Sequence, residues 1–140
     1  MKLQKIIYLF FTLVILLSSC GDDEGTEPAP NPPAYVGTWR PGDVKINNQG
    51  ANLSEFSDFR LSFNSDNTYS LSGLPVDSFT PTQYSGNYTL SGSTMSLAGA
   101  GAGFANLLNF GLANNRLNFT VNAQNTKIGS VVLTFSLIKQ

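Results

Sequence analysis

The sequence predicts an all-β domain, a small up-and-down antiparallel barrel of about eight short strands, following an N-terminal segment that does not belong to it. Three observations predict this. Apolar residues recur with period two through most of the chain from Tyr35 onward. Asn, Ser, Thr and Gly are abundant while only 12% of the chain is charged. Short polar side chains compete with helical backbone bonds, so this composition favours strands and turns. No window of comparable length carries an apolar stripe of helical period. A two-sheet sandwich would bury the same faces and is the structural alternative.

In chain order, residues 1–5 form a short basic start and residues 6–17 a nearly unbroken apolar run. Twelve residues are too few for a permanent transmembrane helix. With the small Ser18 and Ser19 before Cys20, the stretch reads as a secretion signal over residues 1–19. Leu17-Ser18-Ser19-Cys20 resembles, residue by residue, the lipobox of bacterial lipoproteins. The resemblance implies cleavage before Cys20, a palmitate-type lipid on its thiol, and two or three acyl chains in all. Each buried methylene contributes roughly 0.8 kcal/mol, and one chain alone anchors only reversibly. Such a modification therefore anchors the protein durably to a membrane.

Residues 20–34 read as a tether. Asp22, Asp23 and Glu24 are either a solvated acidic start or, by resemblance, the export signal of Bacteroidota lipoproteins. The second reading places the protein at the outer membrane, exposed on the cell surface; the alternative is its periplasmic face. Pro28, Pro30, Pro32 and Pro33 exclude helix and interior strand and favour polyproline II, which at about 3.1 Å per residue reaches up to ~40 Å.

Residues 35–140 are long enough for one domain with one core. Phe59, Leu61 and Phe63 alternate with polar residues, as do Tyr69 and Leu71, and the turn residues Asn64-Ser65-Asp66-Asn67 join the two runs as a hairpin. Tyr84, Gly86, Tyr88 and Leu90 form the next inward set. Ser91-Gly92-Ser93 then turns the chain into a strand over 94–97, with Met95 and Leu97 inward. Leu117, Phe119 and Val121 follow the Asn114-Asn115 turn, and Val131, Leu133, Phe135 and Leu137 share one face of the last strand. Strands over 39–46 and 108–112 complete the set, with short helices expected over 53–58 and 104–109. Sequential antiparallel strands with one apolar face bury it and lose their edges by closing into a barrel.

Three landmarks together resemble lipocalin-like lipoproteins: Gly37-Thr38-Trp39, Leu61-Ser62-Phe63 with Asp66-Asn67-Thr68-Tyr69, and Gly86-Asn87-Tyr88-Thr89-Leu90. The resemblance implies that Trp39 closes one barrel end and that a late-strand basic residue packs across its ring. Arg116 is the candidate, with Arg60 or Lys139 as substitutes; a cation over an indole gains roughly 0.5–2 kcal/mol. It also implies a small apolar or amphipathic ligand, lined by Phe59, Phe63, Tyr69, Tyr84, Tyr88, Phe119 and Phe135. The same aromatics are large enough to fill so short a barrel completely. The alternative function is a packed barrel that meets envelope proteins or glycans through its outward faces and the loops over 43–49 and 75–83.

Catalysis is not expected. One cysteine and no histidine exclude an internal disulfide, a His/Cys metal site and a serine–histidine pair. No spaced acidic calcium loop is present, and no metal or cofactor is expected. Glu55 and Asp58 read as a solvated pair. The alternating Gly-Ala run over 98–103 lacks the Lys-Ser/Thr of a phosphate loop; it is a flexible or closely packed connection, or a lid over the mouth. From Tyr35 onward six basic residues face five acidic ones, too little net charge to steer nucleic acid.

Overall fold

The computed structural model describes residues 31–75, 79, 83–101 and 103–140. The predicted lipobox residues Leu17, Ser18, Ser19 and Cys20, the acidic run and the tether as far as Pro30 lie outside the described residues, as do parts of the 75–83 loop and Ala102. The chain divides into two units, Met1–Asn31 and Pro32–Gln140, and every described strand belongs to the second.

That unit is a closed antiparallel barrel. Its strands are β1 (Gly37–Ile46), β3 (Arg60–Phe63), β4 (Thr68–Ser72), β5 (Gln83–Ser91), β6 (Thr94–Leu97), β7 (Asn106–Ala113), β8 (Arg116–Asn125) and β9 (Gly129–Lys139). Each pairs with the next, and β1 pairs with both β3 and β9 to close the ring. A two-residue strand, β2 (Gln49–Gly50), extends the sheet beside the end of β1. Closure removes the sandwich alternative.

Asparagine makes the tight turns. Asn47 and Asn48 both have positive φ (50° and 67°), as do Asn114 and Asn115 (53° and 58°), the backbone of two-residue hairpins whose twist matches the strands they join. Asn67 adopts φ 62° in the β3–β4 turn, where the Asp66 carboxylate accepts bonds from the Thr68 amide (3.0 Å) and hydroxyl (2.6 Å). Those two bonds hold the Asp66 carboxyl below its ordinary pKa.

Two strands break their period. The register of β1 against β9 shifts between Pro41 and Asp43, so Trp39 and Val44, five apart, both face inward. The register of β7 against β8 shifts between Leu108 and Gly111, around Asn109 at φ 53°, so Leu107 and Phe110 both face inward. Each bulge inserts one residue and resets which side chains meet the core.

Three expectations are corrected. The predicted helix over 104–109 is a turn running into the start of β7 at Asn106, and that over 53–58 is a 3-10 turn, Leu53–Phe56, capped by Asn52. Leu90 is exposed although its parity points inward. The pairing of β4 with β5 ends at Asn87, so Leu90 sits on a hairpin tip beyond the barrel rim.

Candidate functional site

The seven predicted interior aromatics all lie inside the barrel and are buried. Five of them fall into two ring clusters. In one, the Phe135 ring stacks on Phe59 (centroids 4.9 Å) and Phe119 (5.1 Å), with Phe56 edge-on at 5.9 Å and Phe104 tilted at 6.2 Å. In the other, Phe63, Tyr88 and Phe110 surround Tyr35 edge-on at 5.6–6.0 Å. Offset and edge-to-face pairs of this kind contribute about 0.5–1.5 kcal/mol each beyond the area they bury.

Tyr35 is the plug of one end. Its segment crosses the barrel bottom, where the Trp39 indole donates to the Tyr35 carbonyl at 2.8 Å. The opposite end is capped by the 3-10 turn with Phe56 and Phe59, by Leu74, Phe79 and Phe104, and by the Gly-Ala run. Its described residues touch the barrel at Ala98, Gly101 and Gly103. The Tyr69 hydroxyl donates to the Ala98 carbonyl at 2.8 Å, and the Tyr84 hydroxyl lies against Gly101, where a Cβ would collide with it. Gly103 has φ +99°, and a Cβ there would sit 2.7 Å from the Ala123 Cα. Burial raises the pKa of Tyr69, Tyr84 and Tyr88 above the ordinary tyrosine value of 10.0.

Trp39 closes the Tyr35 end, as its motif implies, but the cation over it is Lys139, with Nζ 5.5 Å from the ring centroid. Arg116 is not. Register explains the correction: Lys139 pairs with Trp39 and shares the inward parity of Leu137, whereas Arg116 pairs with Ile138 on the outer face. Gly37, the first residue of the motif, has φ +135° and passes under the Lys139 side chain.

Five buried or plugging aromatics escape the sequence reading: Tyr35, Phe56, Phe79, Phe104 and Phe110. All lie outside clean alternation. Asn109, a residue tolerant of positive φ inside an apolar run, is the signal that could have announced the bulge that turns Phe110 inward.

The surface carries clefts. One of about 440 Å³ lies beside Trp39, Leu112 and Lys139 at the plugged end. A second, about 300 Å³, is lined by Arg40, Pro41, Leu53, Phe56, Ser57 and Arg60. Among the described residues no three of His, Cys, Asp and Glu stand close enough together to hold a metal ion.

These features define a class, the small closed antiparallel β-barrel with a filled interior. The chain belongs to the family described as domain of unknown function DUF5004, whose model matches residues 19–139. No curated protein and no solved structure matches it.

Proposed function

We propose that the protein is a lipid-anchored envelope barrel that binds through its outer surface rather than its interior, and does no catalysis. The observation that carries this is the double aromatic filling, with Phe59 and Phe135 at 0% exposure and both ends capped. A barrel of this size has room for side chains or for one small ligand, not for both. The anchor rests on the Leu17–Cys20 pattern of the sequence. The outer-membrane location and cell-surface exposure belong to the same reading.

Photo-crosslinking from outward positions in intact cells tests it. A reproducible envelope partner or glycan is the expected result; crosslinks obtained equally from random positions, or none, overturn it. Metabolic labelling with an alkynyl fatty acid should mark the wild type and not Cys20→Ala.

A second reading keeps the small amphipathic ligand and moves it from the interior to the cleft beside Trp39. The exposed Leu112 and the Lys139 ammonium there present an apolar wall and a cation together. Native mass spectrometry after gentle extraction decides between the two. A bound species lost in Leu112→Asn supports the cleft; an unliganded protein supports the first reading.

A further inference from the structure

Three of the domain's six basic residues stand in one row across the outside of the barrel. The β1–β3 ladder registers Thr38 with Ser62 and ends at Trp39 with Leu61; the next residues on the two strands, both on the outer side, are Arg40 and Arg60. Both line the 300 Å³ cleft. On the other edge of β1, Arg40 pairs with Ile138, and Ile138 pairs with Arg116 on β8. The row is therefore Arg60, Arg40, Ile138, Arg116 on four adjacent strands, spanning roughly 14 Å at the usual strand spacing.

Among the described residues no counter-charge answers it. Like charges directly opposite on a sheet destabilise it, yet none of the three arginines forms an ion pair among the described residues. Asp43 shares the outer face, directly after Gly42 at the bulge, and Glu55 and Asp58 flank the cleft; none closes onto a guanidinium.

One of the guanidinium groups is held by hydrogen bonds, and a second rests over a glycine. Arg60 Nη1 donates to the carbonyls of Ser57 (2.8 Å) and Phe59 (2.7 Å), which fixes the fork. Arg116 Nη1 lies over Gly42, 2.7 Å from where a Cβ would stand. A pre-oriented guanidinium loses less freedom per bond formed to a carboxylate or sulfate.

We propose that this arginine row is a binding site for an acidic saccharide, a sugar chain bearing carboxylate or sulfate groups. It rests on the reading of the barrel as an outer-surface binding module. Charge complementarity calls for repeated anionic groups, and the neighbouring outer-face side chains supply what sugar hydroxyls need. Thr38 and Ser62 flank one side, their hydroxyls 2.9 Å apart, and Ser136 and Asn118 stand opposite each other on the other. Pro41 and the exposed Leu53 give an apolar wall for the C–H face of a ring. A nucleic acid would instead want exposed aromatics to stack its bases, and among the described residues no aromatic is an exposed large hydrophobic side chain.

The test is titration of the full chain, purified from its lipid-processing host in a mild non-ionic detergent. The probes are a glucuronate-containing oligosaccharide, a sulfated dextran oligomer of similar length, and unmodified dextran. Binding of one or both charged oligomers, weakening with salt, and none to dextran is the expected result; which one binds assigns carboxylate or sulfate. Arg40→Gln with Arg60→Gln should weaken it by on the order of tenfold or more, while Lys127→Gln, in the β8–β9 turn, leaves it unchanged. Arg40→Glu covers the case in which the double variant fails to fold: it places a carboxylate between two guanidiniums, so it should melt no lower than wild type and still lose binding. Equal binding to dextran, equal loss in Lys127→Gln, tighter binding to phosphatidylglycerol vesicles or to single-stranded DNA, or no binding at all overturns the site. If the sugars fail while crosslinking still returns a partner, the site falls and the outer-surface reading stands.

Discussion

Phe135→Ala is the substitution that asks whether the barrel is filled or hollow. The ring is fully buried and touches four others, two stacked at 4.9 and 5.1 Å, one edge-on at 5.9 Å and one tilted at 6.2 Å. Truncating a packed phenylalanine costs about 3–5 kcal/mol, because the lost transfer energy is joined by a cavity the surroundings cannot fill. A central ring with four aromatic neighbours belongs at the top of that range, so about 4–5 kcal/mol is expected. Against a total stability of roughly 5–15 kcal/mol this leaves a marginal fold, and it lowers the melting temperature by roughly 20 °C for a domain of about 100 residues. Urea unfolding followed by Trp39 fluorescence measures it. The outward Val132, 40% exposed on the same strand, provides the control, and Val132→Ala should stay within about 0.5 kcal/mol. A Phe135→Ala cost below about 1 kcal/mol would refute the reasoning. It would mean the interior is loose enough to rearrange, and an internal ligand would return as the better reading.

Lys139→Gln should lower stability by about 0.5–1 kcal/mol and shift the emission of Trp39, while Arg116→Gln leaves that emission unchanged; fluorescence of the two variants checks it. Asn114→Ala and Asn115→Ala should each cost about 1–2 kcal/mol, since alanine resists the left-handed backbone there, and Asn→Gly at either position should cost far less; thermal melts of the four variants distinguish the cases. Burial raises the folded-state pKa of Tyr69, Tyr84 and Tyr88 above the unfolded value near 10.0. Their contribution is therefore fully present below pH 10 and lost as pH rises through the folded values. Unfolding free energy measured between pH 8 and pH 11 should stay flat and then fall, and Tyr69→Phe should soften the fall.

The parts of this fold legible in the sequence are those governed by local rules. Strand β6 has the predicted bounds, 94–97, because a short alternating run between turn residues leaves few other readings. The Asn114-Asn115 turn was legible for the same reason: its residue types tolerate the φ that a tight hairpin demands. What escaped depends on partners distant in the chain. Whether Lys139 or Arg116 covers Trp39 is decided by a register between strands a hundred residues apart, and one step of slip exchanges the two faces. Leu90 carries the right parity and is still exposed, since its neighbour strand stops three residues short. Phe104 was misread as helical because the Gly-Ala run before it offers no period at all.

Gly42 joins the closure of the barrel to the chemistry of its surface. It lies within the β1 bulge, which lets both Trp39 and Val44 face inward, and its missing side chain makes the space in which the Arg116 guanidinium rests. A Cβ at Gly42 would stand 2.7 Å from Arg116 Nη1 and 3.1 Å from both the Ser136 carbonyl oxygen and Ile138 Cγ2. The first contact is the end of a flexible side chain, so the arginine gives way; the other two need shifts of only a few tenths of an ångström. Alanine also restricts the unfolded chain, which stabilises by about 0.4–1 kcal/mol and offsets much of the local strain. Gly42→Ala should therefore melt close to the wild-type temperature while swinging Arg116 away from Arg40 and Arg60. If the row acts as one site, charged oligosaccharide binding falls in this variant nearly as far as in Arg116→Gln. Unchanged binding with a displaced Arg116, seen in its side-chain NMR signals, would reduce the site to the Arg40–Arg60 cleft. The near-neutral charge of the domain conceals all of this, because a count of residues has no register.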